Sequence, residues 1–104
     1  LTIFIFIGVI MKIELTLDST VQIDNEVVSC DLVDEAAILN MKDGVYYGLN
    51  SVGARIWNLI QKPMKVSDIL DTLLDEYDVE KDVCMTDLME LLGQLLEKEL
   101  VKVE

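Results

Sequence analysis

Asn40-Met41-Lys42-Asp43-Gly44-Val45-Tyr46-Tyr47-Gly48-Leu49-Asn50-Ser51-Val52-Gly53-Ala54-Arg55-Ile56-Trp57 is the stretch whose reading decides the fold. It reads as the end of one strand, a tight turn, a short second strand and a helix that starts at once. Asp43-Gly44 is a hairpin turn pair, because glycine accepts the positive φ that such turns require. Val45, Tyr46, Tyr47 and Leu49 are β-branched, aromatic or bulky apolar residues suited to a half-buried strand. Asn50 or Ser51 then caps a helix with Val52, Ile56, Leu59 and Ile60 on its apolar side. No catalytic set sits in the run, which points to structure or recognition.

Upstream, residues 27–33 and 35–41 read as two further strands that bend near Asp34. Ala36-Ala37-Ile38-Leu39 pairs with residues 45–49 across the turn, so the first half is predicted to be a three-stranded antiparallel meander. Ile13, Leu15 and Leu17 alternate, as do Val21 and Ile23, so residues 13–23 are extended and available to add to it. Downstream the period becomes helical. A first helix is predicted over about 51–61, and Pro63 marks a break. A second carries Val66, Ile69, Leu70, Leu73, Leu74 and Tyr77 on one stripe. A third starts at Asp78 or Asp82 and runs to about residue 98, and its apolar residues spread over roughly 160°. Either it is central and packs on sheet and helices alike, or one flank packs inward while the other lines an open groove. Both readings stand at this point. Leu100, Val101 and Val103 form an extended tail, and the class is α+β.

The 104 residues are 52% hydrophobic, enough for one domain with a modest core. Eight Lys and Arg against twenty Asp and Glu leave a net charge of -12. Such a surface repels a phosphate backbone and an anionic membrane, and favours a basic or neutral peptide or a basic protein face. The absence of histidine removes the commonest general base near neutral pH and the commonest transition-metal ligand. No EF-hand spacing, GxGxxG, Walker loop, nucleophile elbow or zinc cluster is present. Carboxylate pairs such as Asp75-Glu76 read as solvated helix surface. Cys30 and Cys84 read as two buried small hydrophobes in a reducing compartment, with a disulfide or a thiol nucleophile as the alternatives. The expectation is a chain that is not an enzyme and takes no cofactor or metal.

Residues 1–12 read as an apolar N-terminal extension, with residues 1–10 upstream of a native start expected at Met11, and residues 13–104 as one domain. No Lys or Arg precedes Leu1–Ile10 as in a signal peptide. Lys12, Glu14 and Asp18 follow too closely for a bilayer span, which needs about 20 apolar residues. An interfacial anchor is the alternative.

Binding chemistry is better supported than catalysis. If residues 45–49 lie at the sheet edge, their outward amides and carbonyls can accept a strand from a peptide. The neighbouring helix would furnish apolar pockets, and Asp87 and Glu90 would add acidic contacts. One of Tyr46 and Tyr47 should pack inward and the other cover the outer face of the sheet.

Ile38-Leu39-Asn40, Asp43-Gly44-Val45-Tyr46-Tyr47-Gly48-Leu49-Asn50 and Gly53-Ala54-Arg55-Ile56-Trp57 resemble the PqqD-like family, the recognition elements for ribosomally made, modified peptides. Among these the run is most similar to the small stand-alone proteins of lasso-peptide gene clusters. The resemblance covers about residues 20 to 103. It implies a winged-helix-like domain, a three-stranded antiparallel sheet followed by three helices, without catalytic activity. It also implies a cytoplasmic protein whose partners are a precursor leader peptide and the leader peptidase or other modifying enzyme that processes it. The leader docks as an added strand on the third strand, in the cleft beside the third helix. Carried over, the strand is Val45, Tyr46, Tyr47, Gly48 and Leu49. On the helix, Cys84, Asp87, Leu88, Leu91 and Leu95 are chosen over the flank of Met85, Met89 and Leu96. The alternatives are a peptide chaperone for a radical enzyme, as in quinone-cofactor synthesis, a winged-helix nucleic-acid binder, and a thiol enzyme using Cys30 or Cys84.

Overall fold

A computed structural model describes residues 15–104; the expectations for the 1–12 extension and for Ile13 lie outside the described residues. The chain forms β1 (Thr20–Ile23), β2 (Val27–Leu32), β3 (Glu35–Asn40), β4 (Val45–Leu49), α1 (Ser51–Leu59), β5 (Met64–Lys65), α2 (Val66–Glu76), α3 (Lys81–Glu97) and β6 (Val101–Val103). As the turn chemistry dictates, β2, β3 and β4 make an antiparallel sheet in that order. Ile38 stands opposite Ser29 on one side and Tyr47 on the other. The β3–β4 turn closes with Gly44 N–H donating to the Asn40 carbonyl at 2.8 Å, and Gly44 takes the expected positive φ of 72°. Asp34, in the β2–β3 turn, takes φ 61°.

Residues 13–23 were free to extend this meander, and the structure corrects that reading. β1 is instead the central strand of a second sheet, ordered β5-β1-β6. Its Val21 is fully buried, and chain from beyond Pro63 and from the C-terminal tail supplies a partner on each side. Val21 faces Met64 in one ladder and Val103 in the other. This small sheet ties the start, middle and end of the described chain together.

Asn50 caps α1, its Oδ1 accepting from Gly53 N–H at 2.9 Å. The helix stops at Leu59, two residues before the predicted end. The meander's inner face, with Ala36 and Ile38, packs against the helices around Trp57, Ile69, Leu88 and Leu92, all buried. The wide apolar arc of α3 has both proposed causes. Cys84, Leu88, Leu92 and Leu95 are buried, while Met85, Met89, Leu91 and Leu96 are partly buried against the same core.

Among the described residues, none forms a layer over the meander's outer face. Register places Val28 beside Leu39, Leu39 beside Tyr46 and Cys30 beside Ala37. Val28, Leu32 and Tyr46 are 49%, 55% and 72% exposed. Cys30, expected to be buried, is exposed here, because it lies on the edge strand and its side of the sheet carries no described helix; Cys84 is buried. No described helix is long and apolar enough to cross a membrane, and no cluster of His, Cys, Asp or Glu among the described residues is arranged to hold a metal.

Candidate functional site

β4 is an edge strand: among the described residues it pairs with β3 alone. In an antiparallel ladder alternate residues turn their N–H and C=O groups away from the partner, so β4 presents an unsatisfied row of donors and acceptors. Beside it runs a groove of about 910 Å³. Tyr47, Gly48 and Leu49 form the strand side, and Val52, Gly53 and Ile56 of α1 continue it. Leu73 comes from α2, and Tyr77 from the residue that caps its C-terminus. The opposite wall is α3, where Cys84, Leu88, Leu91 and Leu95 line the groove. Their spacing keeps them on one helical face.

Local sequence explains how these walls are held. A Cβ on Gly53 would stand 3.3 Å from the Leu49 side chain, so glycine lets the first turn of α1 pack closely on the end of β4. Arg55 reaches from α1 to α2, its Nε and Nη2 donating to the two Glu76 oxygens at 2.8 and 2.6 Å. That fork holds the Glu76 carboxyl below its ordinary range and the Arg55 guanidinium above its own. Asn40, fully buried at 0% exposure, ties the hairpin to α3. Its Nδ2 donates to the Lys98 carbonyl at 3.3 Å, and its Oδ1 accepts from Lys42 N–H at 3.0 Å. The separation of β4 from α3 is thereby set at one end.

The chemistry of the groove suits binding. Burial, and secondarily the Asp87 carboxylate, push the Cys84 thiol above its ordinary range, so the thiolate needed for nucleophilic attack is disfavoured. Of the sequence-derived residues, Tyr47, Gly48, Leu49, Cys84, Asp87, Leu88, Leu91 and Leu95 all line this one groove. Val45 and Tyr46 share the strand but not the groove lining; both are exposed. Tyr47 packs partly against the core while Tyr46 does not, so one ring faces in and one out. Glu90, read as an acidic contact, is exposed outside the lining, and Met85, Met89 and Leu96 also lie outside it.

Sequence reasoning missed Val52, Ile56, Leu73 and Tyr77, which it assigned wholly to helix stripes facing the core. The available signal was Tyr77, an amphipathic ring at the last position of its stripe, where a helix end leaves room. It also missed Asp78, Gln94, Glu97 and Lys98 on the rim, which no spacing rule singles out.

Comparison with known proteins identifies the family and the fold. The family described as Coenzyme PQQ synthesis protein D (PqqD) matches residues 35–101, more than half the chain. No curated protein matches in sequence. Among solved structures, "TbiB1 in Complex with the TbiA(beta) Leader Peptide" is similar with a TM-score of 0.75 and 36% identity, covering 78% of this chain and 94% of that one. "Lasso peptide synthetase B1 complexed with the leader peptide" has a TM-score of 0.71 and 22% identity, covering 79% and 96%, a likeness of fold. The matched span begins at β3 and runs into β6, so it takes in both walls of the groove, and the chain belongs to the PqqD family.

Proposed function

We propose that this chain binds the leader segment of a ribosomally made precursor peptide as an added strand on β4 and delivers it, without catalysing any step, to the enzyme that processes the precursor. The observation that carries this reading is the edge of β4, unpaired among the described residues, running along an apolar groove. Main-chain hydrogen bonds to that edge supply affinity with little demand on sequence, and the groove selects the side chains that point into it. The binding residues are Val45, Tyr46, Tyr47, Gly48 and Leu49 on the strand, with Cys84, Asp87, Leu88, Leu91 and Leu95 on α3. TbiB1, 36% identical, was solved with a leader peptide, which supports the same use here. The Tyr46-Tyr47-Gly48-Leu49-Asn50 run and that identity favour the lasso type, in which the receiving enzyme is a leader peptidase and the complex works in the cytoplasm.

Delivery needs a second surface that stays free while the groove is filled. The outer face of the meander, with Val28, Leu32, Leu39 and Tyr46, is apolar, largely uncovered and continuous with β4. We assign it to the receiving enzyme.

The test is titration of the protein with the synthetic leader of the precursor encoded beside it, followed by fluorescence anisotropy. A dissociation constant of about micromolar or below is expected. A leader methylated on alternate backbone nitrogens should lose the ladder and bind at least about tenfold more weakly, and Tyr46→Pro, which removes an amide on the side of β4 that faces away from β3, should act in the same direction. Equal affinity for the methylated leader would overturn strand addition.

A further inference from the structure

The groove is apolar along its floor and acidic at its rim. Asp78, Asp87 and Glu97 line it, against Lys98 as the cation in the same lining. Among the described residues the ion pairs are Lys42–Asp24 and Arg55–Glu76, so none of the three rim carboxylates is neutralised by a partner. Asp87 and Glu97 lie on α3 ten positions apart, about 15 Å at the helical rise. At about 3.3 Å per residue, that distance spans four to five residues of an extended peptide, which is also the length of β4. A strand lying on β4 turns alternate side chains toward α3.

We propose that the leader read by this groove is a cationic strand. An aliphatic side chain enters between Leu49, Leu88 and Leu91, and a Lys or Arg two residues away on either side meets Asp87 and Glu97. This rests on the strand-addition reading and specifies its ligand. The apolar residue supplies burial. The flanking cations supply selection and speed of encounter, because a rim of one sign steers opposite charge into the groove and rejects like charge. The overall charge of -12 adds to that field at low salt.

The experiment uses three synthetic versions of the leader of the neighbouring precursor, with Lys, Gln or Glu at the two inward positions four residues apart. At about 20 mM salt the Debye length is about 20 Å, and at about 0.5 M it is about 4 Å. The Lys version should bind about tenfold more tightly than the Gln version at low salt, with the Glu version weakest, and the differences should shrink to about twofold at high salt. The double variant Asp87→Asn/Glu97→Gln should lose most of the preference for Lys. Binding that ranks the three versions equally and ignores salt overturns the charge selection while leaving strand addition in place. If no version binds, the strand-addition reading falls, and this inference with it.

Discussion

Asn40 shows how much one buried polar side chain can hold. It donates to the Lys98 carbonyl, 58 positions away, and accepts from the Lys42 amide. Asn40→Ala removes both hydrogen bonds and leaves the Lys98 carbonyl and the Lys42 amide without this partner, and a buried group left unsatisfied costs about 1–3 kcal/mol. We expect a loss of about 2 kcal/mol in urea unfolding, together with weaker leader binding because the end of α3 is released from the hairpin. Asn40→Asp should be worse, since a carboxylate cannot donate to a carbonyl. The sequence showed Asn40 only as the last residue of a strand; a bond to the far end of α3 leaves no trace in local pattern. Glu76 is a second residue with a stated sign. Its carboxyl sits below its ordinary value of 4.5 because Arg55 donates to it, so the folded state binds that proton less readily than the unfolded chain. The contribution of the pair is therefore complete above the ordinary carboxylate range and disappears as pH falls through the lowered folded value. Because both groups are partly exposed, the effect is small. Glu76→Gln should melt slightly below the parent protein at pH 7, and the gap should close on acidification below pH 4.5; a gap that persists there would contradict the assignment.

At the scale of elements, the hairpin and the three helices were legible because each rests on local signals. Asp43-Gly44 makes the turn, Asn50 caps α1, Pro63 stops what precedes it, and the stripe of α2 repeats at helical spacing. The second sheet was not legible. β5 is two residues long and β6 three, and β1 gains meaning only from partners dozens of residues away. The groove was legible in part, through the strand–helix juncture, while its α2 wall was not, because Leu73 and Tyr77 look like ordinary core positions. One element carries a correctable flaw. α3 ends with Glu99 in the left-handed region, φ 60°, where Glu99 N–H bonds the Leu96 carbonyl and Leu100 N–H the Leu95 carbonyl. Glycine is the usual residue at such a helix end, and a side chain there costs about 1 kcal/mol. A carboxylate is also the wrong sign for a helix C-terminus. Glu99→Gly should therefore raise stability by about 1 kcal/mol, visible as a higher melting temperature, without altering leader affinity.

The whole molecule presents two surfaces that share one strand. The inner side of β4 lines the groove, its edge is the proposed seat of the leader, and its outer side carries Tyr46 among the exposed residues of the meander. Folded proteins rarely leave an apolar sheet face open without a use for it. The exposed face here lies on β2 and β3 as well as β4, away from the groove, so a partner docked there would leave the groove free. Val28 and Leu32 are the positions to test. Both sit on β2, outside the groove, and both point away from the core, so Val28→Glu and Leu32→Glu should fold normally and bind leader as the parent does. If the receiving peptidase docks on this face, burying two added carboxylates among apolar groups is costly. Leader removal by the purified peptidase should then slow about tenfold at limiting enzyme. Parent-like cleavage by the double variant would move the docking surface elsewhere. Slower cleavage that tracks weaker leader binding would instead place Val28 and Leu32 in the path of the leader itself. Measuring both quantities on the same preparations separates delivery from capture.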